Sequence, residues 1–202
     1  MQLKYICEIQ KIKMIILHIS DIHYDKALLS EIKNRNYDVL CISGDLLAEP
    51  GCTPINVQIN EIISILKKVK KPLFIASGNH DLDGKWLRKI KKAHLGGENE
   101  KIKNIKIGVV NFGCDDFSKF KKCDVLVTHV PPFGSKTAIC SQSGNDLGDK
   151  ILAKAIKKGQ ISPRYILCGH IHNPMTNYEI FEKINILNAS CKAYDIDIQD
   201  FL

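Results

Sequence analysis

Short apolar runs of β character alternate with helix-type segments along this chain, and most of the runs end abruptly on His, Asp or Asn. The terminal fragments read Ser20-Asp21-Ile22-His23, Gly44-Asp45, Gly78-Asn79-His80-Asp81, Thr128-His129 and Gly169-His170-Ile171-His172, and four of the five follow directly on such a run. Continuous apolar runs bounded by turn residues suit strands buried on both faces. Strands that alternate with helices build βαβ units and a parallel sheet. The carboxyl ends of such strands lie along one edge, so the polar fragments are delivered to one place. Five of the seven histidines fall inside the fragments; only His18 and His94 lie outside.

Residues 14–20 read as the first strand and 26–35 as a helix. Residues 37–43 form the second strand and 55–69 an amphipathic helix with Ile, Val and Leu at three- and four-residue spacing. Pro72 is tolerable at the first position of a strand over 72–77. Residues 83–92 are expected to be helical with Asp83 as N-cap. Beyond Gly96-Gly97, strands are expected at 105–112 and 124–128, followed by a long Pro-, Gly- and Ser-rich loop over 131–145. A helix over 146–158, ended by Gly159, precedes a strand over 165–168. The tail runs 178–181, 184–187 and 194–198 suit antiparallel hairpins in a second layer. No repeat or linker interrupts the pattern, so residues 1–202 are read as one domain, with 1–13 an extra edge strand or a leader outside the core.

With 45% hydrophobic and 25% charged residues, the composition is that of an ordinary globular protein. No apolar run approaches the ~18 residues of a membrane span, and residues 14–19 are too short and too interrupted for an export signal. The eight cysteines show no CxxC pair or regular spacing and read as reduced thiols of a cytoplasmic protein. The net charge of +7 raises the question of nucleic acid. However, the lysines are dispersed, and the only arginines, Arg35, Arg88 and Arg164, lie outside every fragment. Base readout leans on bidentate Arg, and single-strand binding on interleaved aromatics; nucleic acid is therefore not the favoured partner.

Residues i and i+2 of an extended segment share a side, so Asp21 with His23, and His170 with His172, can each offer two ligands to one ion. Carboxylate oxygen with imidazole nitrogen suits divalent Mn, Fe, Zn, Ni or Co. Singly, each fragment is also a plausible turn or cap: Gly-Asp is a common turn dipeptide, and Asp-x-His after a strand often caps a helix. All five in order, at strand ends, are not explained that way.

The ordered set D-x-H, G-D, G-N-H-D, a lone H and G-H-x-H resembles the calcineurin-like metallophosphoesterases. The segments Thr128-His129-Val130-Pro131-Pro132-Phe133-Gly134 and Cys168-Gly169-His170-Ile171-His172 look most like the small stand-alone predicted phosphoesterases related to the Icc cyclic-nucleotide phosphodiesterase. The resemblance implies an α/β fold, a four-layer α/β/β/α sandwich of two mixed sheets, with a dinuclear metal centre. One ion would be held by Asp21, His23, Asp45 and His172, the other by Asp45, Asn79, His129 and His170, with Asp45 bridging. Two divalent cations against the two charges of Asp21 and Asp45 leave net positive charge for a phosphate and for a bridging hydroxide as nucleophile. Manganese is the first metal expected. His80, outside both ligand sets, would bind phosphate and protonate the leaving alkoxide. Asp81 would fix a loop or an imidazole, or cap the following helix.

Gly44-Asp45-Leu46-Leu47-Ala48-Glu49 lacks the Asp-Arg-Gly extension of the Ser/Thr protein phosphatases, which argues against phosphoprotein substrates. Many relatives have Asn-Pro-Gly-Ser where this chain has Asn188-Ala189-Ser190. No insertion provides a cap, so substrate choice is expected to fall to loops near 48–54 and 133–146. The expected function is hydrolysis of small phosphodiesters, such as cyclic or linear nucleotides, with phosphomonoesters secondary. A nuclease with the same chemistry is the alternative, and a non-enzymatic scaffold a third reading disfavoured by the complete ligand set.

Overall fold

A computed structural model describes residues 12–49, 51 and 53–200. Two sheets face each other. The first has the order β11-β1-β2-β3-β4: Ala193–Asp200, Ile12–Ile19, Val39–Ser43, Leu73–Ala76 and Ala93–Leu95. The second runs β5-β6-β7-β8-β10-β9: Asn99–Ile102, Ile105–Val110, Val125–Thr128, Tyr165–Cys168, Ile184–Asn188 and Tyr178–Phe181. Each sheet has a parallel interior. Antiparallel strands stand at its margins: β11 beside β1, β5 beside β6 and β9 beside β10.

Side-chain alternation sorts the core into three layers of contact. Leu17, Ile19, Leu40, Ile42, Leu73 and Ile75 face outward onto helices α1 (Lys26–Asn34) and α2 (Ile55–Lys68). Their neighbours Met14, Ile16, Val39, Cys41, Phe74 and Ala76 face inward and meet Ile107, Val109, Val125 and Val127 of the second sheet. The outer face of that sheet, through Val110, Leu126 and Ile166, packs on α3 (Lys150–Lys157). The result is the four-layer α/β/β/α sandwich of two mixed sheets. Among the described residues, no helix is long and apolar enough to cross a membrane.

The expected helix over 83–92 is instead a short 3-10 turn, Lys85–Lys89. Gly84, at a φ of 65°, breaks the helical entry, and the backbone after Ile90 turns into β4. Asp83 still accepts from the Lys85 amide, as an N-cap residue would. The helix expected over 146–158 begins at Lys150, where the Asp149 carboxylate caps the Ile151 and Leu152 amides. The tail does not form one hairpin layer: β10 runs parallel to β8, and β11 crosses to pair with β1 in the other sheet. Residues 1–11, read as an edge strand or leader, lie outside the described residues, whereas Ile12 and Lys13 extend β1.

Candidate metal centre

The fragments meet beyond the carboxyl ends of β1, β2, β3, β7 and β8, where both sheets contribute to one rim. Asp21, His23, Asp45 and Asn79 come from the first sheet; His129, His170 and His172 come from the second. Tight turns make this possible. Asp21, His23, Asp45 and His170 all have positive φ, at 51°, 43°, 52° and 70°. This left-handed conformation is uncommon outside glycine, and its clustering is a mark of functional sites.

Donor atoms converge at hydrogen-bonding range. Asp21, His23 and His172 form one group whose ligand atoms all lie within 4.8 Å of one another, and Asp21, Asp45 and His129 form another. Asp45 Oδ2 stands centrally, 3.3 Å from His129 Nε2 and 3.9 Å from His23 Nε2. Across the rim, His23 Nε2 is 3.2 Å from His172 Nε2, and His129 Nε2 is 3.2 Å from His170 Nδ1. Asn79 Oδ1 completes this second half, 2.9 Å from His129 Nε2.

The backbone sets the tautomers of two imidazoles. His129 Nδ1 donates to the Ser43 carbonyl at 2.8 Å, and His23 Nδ1 to the Leu47 carbonyl at 3.2 Å. In the neutral ring this leaves the Nε2 lone pair pointing inward, an orientation typical of metal-ligating histidine. At His129 that lone pair meets the Asn79 and Asp45 oxygens and a ring nitrogen of His170, a crowd of acceptors that a cation would satisfy. The cradle is also shaped for bare carboxylates: a Cβ on Gly78 would lie 2.1 Å from Asp45 Oδ1, and one on Gly169 2.3 Å from Asp21 Oδ2. Donor set, tautomers and cradle all fit divalent metal ions.

The electrostatics agree. Burial pushes the Asp21 carboxyl up, but its bond with His172 and the His129 charge outweigh this and hold it below the usual range. Asp45 is likewise held down, its bond to His129 overcoming burial. Burial and the neighbouring His129 charge push His170 down to about 4, so it presents a neutral nitrogen. Bonds to Asp21 and Cys191 raise His172 to about 10. Against the effect of its burial, Asp45 likewise raises His129, so the site gathers anionic carboxylates with imidazoles, of which His170 is the one pushed toward the neutral form.

His80 stands at the mouth. Its backbone N–H donates to Asp45 Oδ1 at 2.8 Å, and its ring Nε2 lies 3.9 Å from Asp45 Oδ2. Asp81 does not join the cluster of side chains. Its buried carboxylate accepts from the Leu46, Leu47 and Gly78 amides at 2.8, 3.2 and 2.8 Å, tying the Asp45 loop to the Asn79 loop. That is the loop-fixing role; the side chain does not cap the turn after it. Two neighbours escaped the reading of the sequence. Glu49 Oε1 lies 3.1 Å from His80 Nδ1, from a loop read for the missing Asp-Arg-Gly extension and for substrate choice but not for a contact with His80. Phe112, expected as the last residue of a strand over 105–112, instead projects beyond β6 beside His129 and His170. The turn after β10 survives without Pro-Gly: Ser190 and Cys191 take positive φ, and the Ser190 hydroxyl donates to the His172 carbonyl.

The model of the calcineurin-like phosphoesterase family matches residues 14–174, which takes in all five fragments. A search of curated proteins gave no match. One solved crystal structure superposes with a TM-score of 0.66 at 14% identity, covering 94% of this chain and 99% of that one. A protein of unknown function from Aquifex aeolicus is similar at TM-score 0.50 and 15% identity, with 90% and 95% covered. A predicted phosphoesterase from Streptococcus pneumoniae is similar at TM-score 0.49 and 16% identity, with 95% and 90% covered. The first two of these likenesses speak to the fold alone. The family match, spanning most of the chain and every converging fragment, shows that the chain belongs to the calcineurin-like phosphoesterases, metal-dependent hydrolases of phosphoester bonds.

Proposed function

We propose that the chain hydrolyses small phosphodiesters at a two-ion centre, with Asp45 shared between the ions. The observation that supports this most is the position of Asp45 Oδ2 between His23 Nε2 and His129 Nε2, which belong to opposite halves of the rim. Asp21, His23, Asp45 and His172 would hold one ion; Asp45, Asn79, His129 and His170 the other. Two divalent cations held side by side would repel, and a shared carboxylate would offset this. When bound, the ions supply Lewis acidity toward the phosphoryl oxygens and lower the pKa of water into the neutral range.

The remaining chemistry falls to the chain. His80 Nε2, at the open side of Asp45, delivers a proton to the oxygen of the departing alcohol. Its other nitrogen donates to Glu49, which fixes the ring. Asp81 keeps the loops of Asp45 and Asn79 in register. The open rim suits small esters.

The test is hydrolysis of bis(4-nitrophenyl) phosphate by Mn²⁺-supplemented protein. Activity is expected to vanish with EDTA, to return on adding metal, and to be lost in Asp45→Asn. Undiminished turnover by rigorously metal-free protein would refute the mechanism.

A further inference from the structure

A cleft of about 340 Å³ opens directly off the His170 side of the centre. Its walls include Phe112, Val130, Leu147 and Ile151, with Asn111 and His170 contributing polar edges. The volume lies at the lower end of the range for small-molecule pockets. Eight large hydrophobic side chains are exposed among the described residues, and three of them line this cleft: Phe112 at 49%, Leu147 at 50% and Ile151 at 47%. Apolar side chains gathered at the mouth of a charged site mark a contact surface rather than chance exposure.

The cleft is preformed. The Phe112 amide donates to the Ser77 carbonyl at 3.0 Å, and Asn111 Oδ1 accepts from the Ser77 amide at 3.0 Å. Both bonds pin the end of β6 to the turn that carries Asn79, so Phe112 is fixed relative to the candidate ligands. Its ring centroid lies 6.0 Å from that of His129 and 6.3 Å from that of His170. The opposite wall is tied down as well: Leu147 N–H donates to Ala138 O at 3.0 Å and Asp149 N–H to Pro131 O at 2.8 Å.

Resting on the proposed phosphodiesterase reading, we infer that this cleft binds the nucleoside arm of the substrate, with the base stacked on Phe112 and flanked by Leu147 and Ile151. A phosphate held among Asp45, His129 and His170 leaves one ester arm beside Phe112. A planar base gains from an aromatic face and apolar flanks, whereas a short alkyl arm covers little of either. The Asn111 amide and the Asp149 carboxylate, at the rim, meet the polar edge of a base.

Thymidine 5′-(4-nitrophenyl) phosphate and methyl 4-nitrophenyl phosphate share a leaving group and differ only in the arm assigned to the cleft. With Mn²⁺-loaded protein, kcat/KM for the nucleoside ester is expected to exceed that for the methyl ester, mainly through KM. Phe112→Ala is expected to cut this ratio about tenfold, the order of one base–aromatic stack, and Phe112→Tyr to restore it. Calorimetric titration with thymidine 5′-monophosphate and inorganic phosphate gives a readout independent of turnover, with the same loss of preference expected in Phe112→Ala. Equal kcat/KM for the two esters, or a preference untouched in Phe112→Ala, would overturn the inference. If neither ester is hydrolysed while the monophosphate still outbinds phosphate in a Phe112-dependent way, the cleft assignment stands and the hydrolytic reading falls.

Discussion

Glu49 Oε1 lies 3.1 Å from His80 Nδ1, while the opposite nitrogen of the same ring faces Asp45 Oδ2 at 3.9 Å. The imidazole is thus held between an exposed carboxylate outside the centre and a buried one within it. On the proposed mechanism Nε2 would deliver the proton to the departing oxygen, with Glu49 orienting the ring from behind. His80→Ala is expected to slow alkyl esters about 10²–10⁴-fold. It should slow 4-nitrophenyl esters far less, because nitrophenolate leaves without a proton. Glu49→Gln should show the same selectivity in weaker form. Rates on paired methyl and nitrophenyl leaving groups check this, and equal slowing of both would remove His80 from the role.

Asp81 offers a second test. Asparagine has one carbonyl oxygen, so Asp81→Asn cannot accept from Gly78 on one side and from Leu46 and Leu47 on the other. A buried amide left without a partner costs about 1–3 kcal/mol. Urea unfolding should show that loss. Manganese affinity should drop about 10–100-fold, as for partners that orient ligands without binding the metal themselves.

Gly169 tests the shape of the cradle. A methyl group there would lie 1.7 Å from Ser20 Oγ and 2.3 Å from Asp21 Oδ2, and the His170 amide donates to both Asp21 oxygens at 3.0 Å. Gly169→Ala must therefore displace the carboxylate. It is expected to destabilise the fold by about 1–3 kcal/mol, as overpacking does. Metal binding should weaken at least tenfold, the lower bound for a disturbed ligand environment. Calorimetric titration with Mn²⁺ at full folding gives the affinity directly.

His18 governs behaviour in acid. It is fully buried between the sheets with Nε2 2.8 Å from Ser43 Oγ, and burial pushes its pKa from 6.5 to about 3. The unfolded chain takes up this proton below about pH 6.5, while the folded chain refuses it until about pH 3. Its contribution to stability is complete above the upper value and is lost as pH falls through that window. Between pH 7 and pH 4.5 the loss from this one group is on the order of 3 kcal/mol. EDTA-treated wild type and His18→Asn, compared by urea unfolding at both values, should differ in pH dependence by about that amount, with the variant the flatter.

The candidate ligand fragments were legible because each is a compact spacing and four of the five come straight after an unmistakable strand. Leu73–Ala76 is apolar at every position and Val125–Thr128 at all but its last, and both runs are buried throughout. The short strands β4 and β5 had no such signal. Asn99, Glu100 and Lys101 carry no apolar alternation, and β5 exists because β6 offers it an edge. The tail misled for a related reason. Alternation in residues 193–200 identifies a strand but not its partner, and the contacts that send β11 to β1 span nearly the whole chain. Glu49 and Phe112 were hidden differently, since nothing local distinguishes a carboxylate facing a distant imidazole or an aromatic that overshoots its strand by two residues.

The two sheets divide the candidate ligands between them, so bound ions would rivet one edge of the sandwich across its central seam. Ligation of the native state alone adds stability by mass action. Metal supply then becomes a determinant of cohesion as well as of catalysis. A cell short of the ion would hold a protein that is both idle and looser, and loosest at the rim where its work is done.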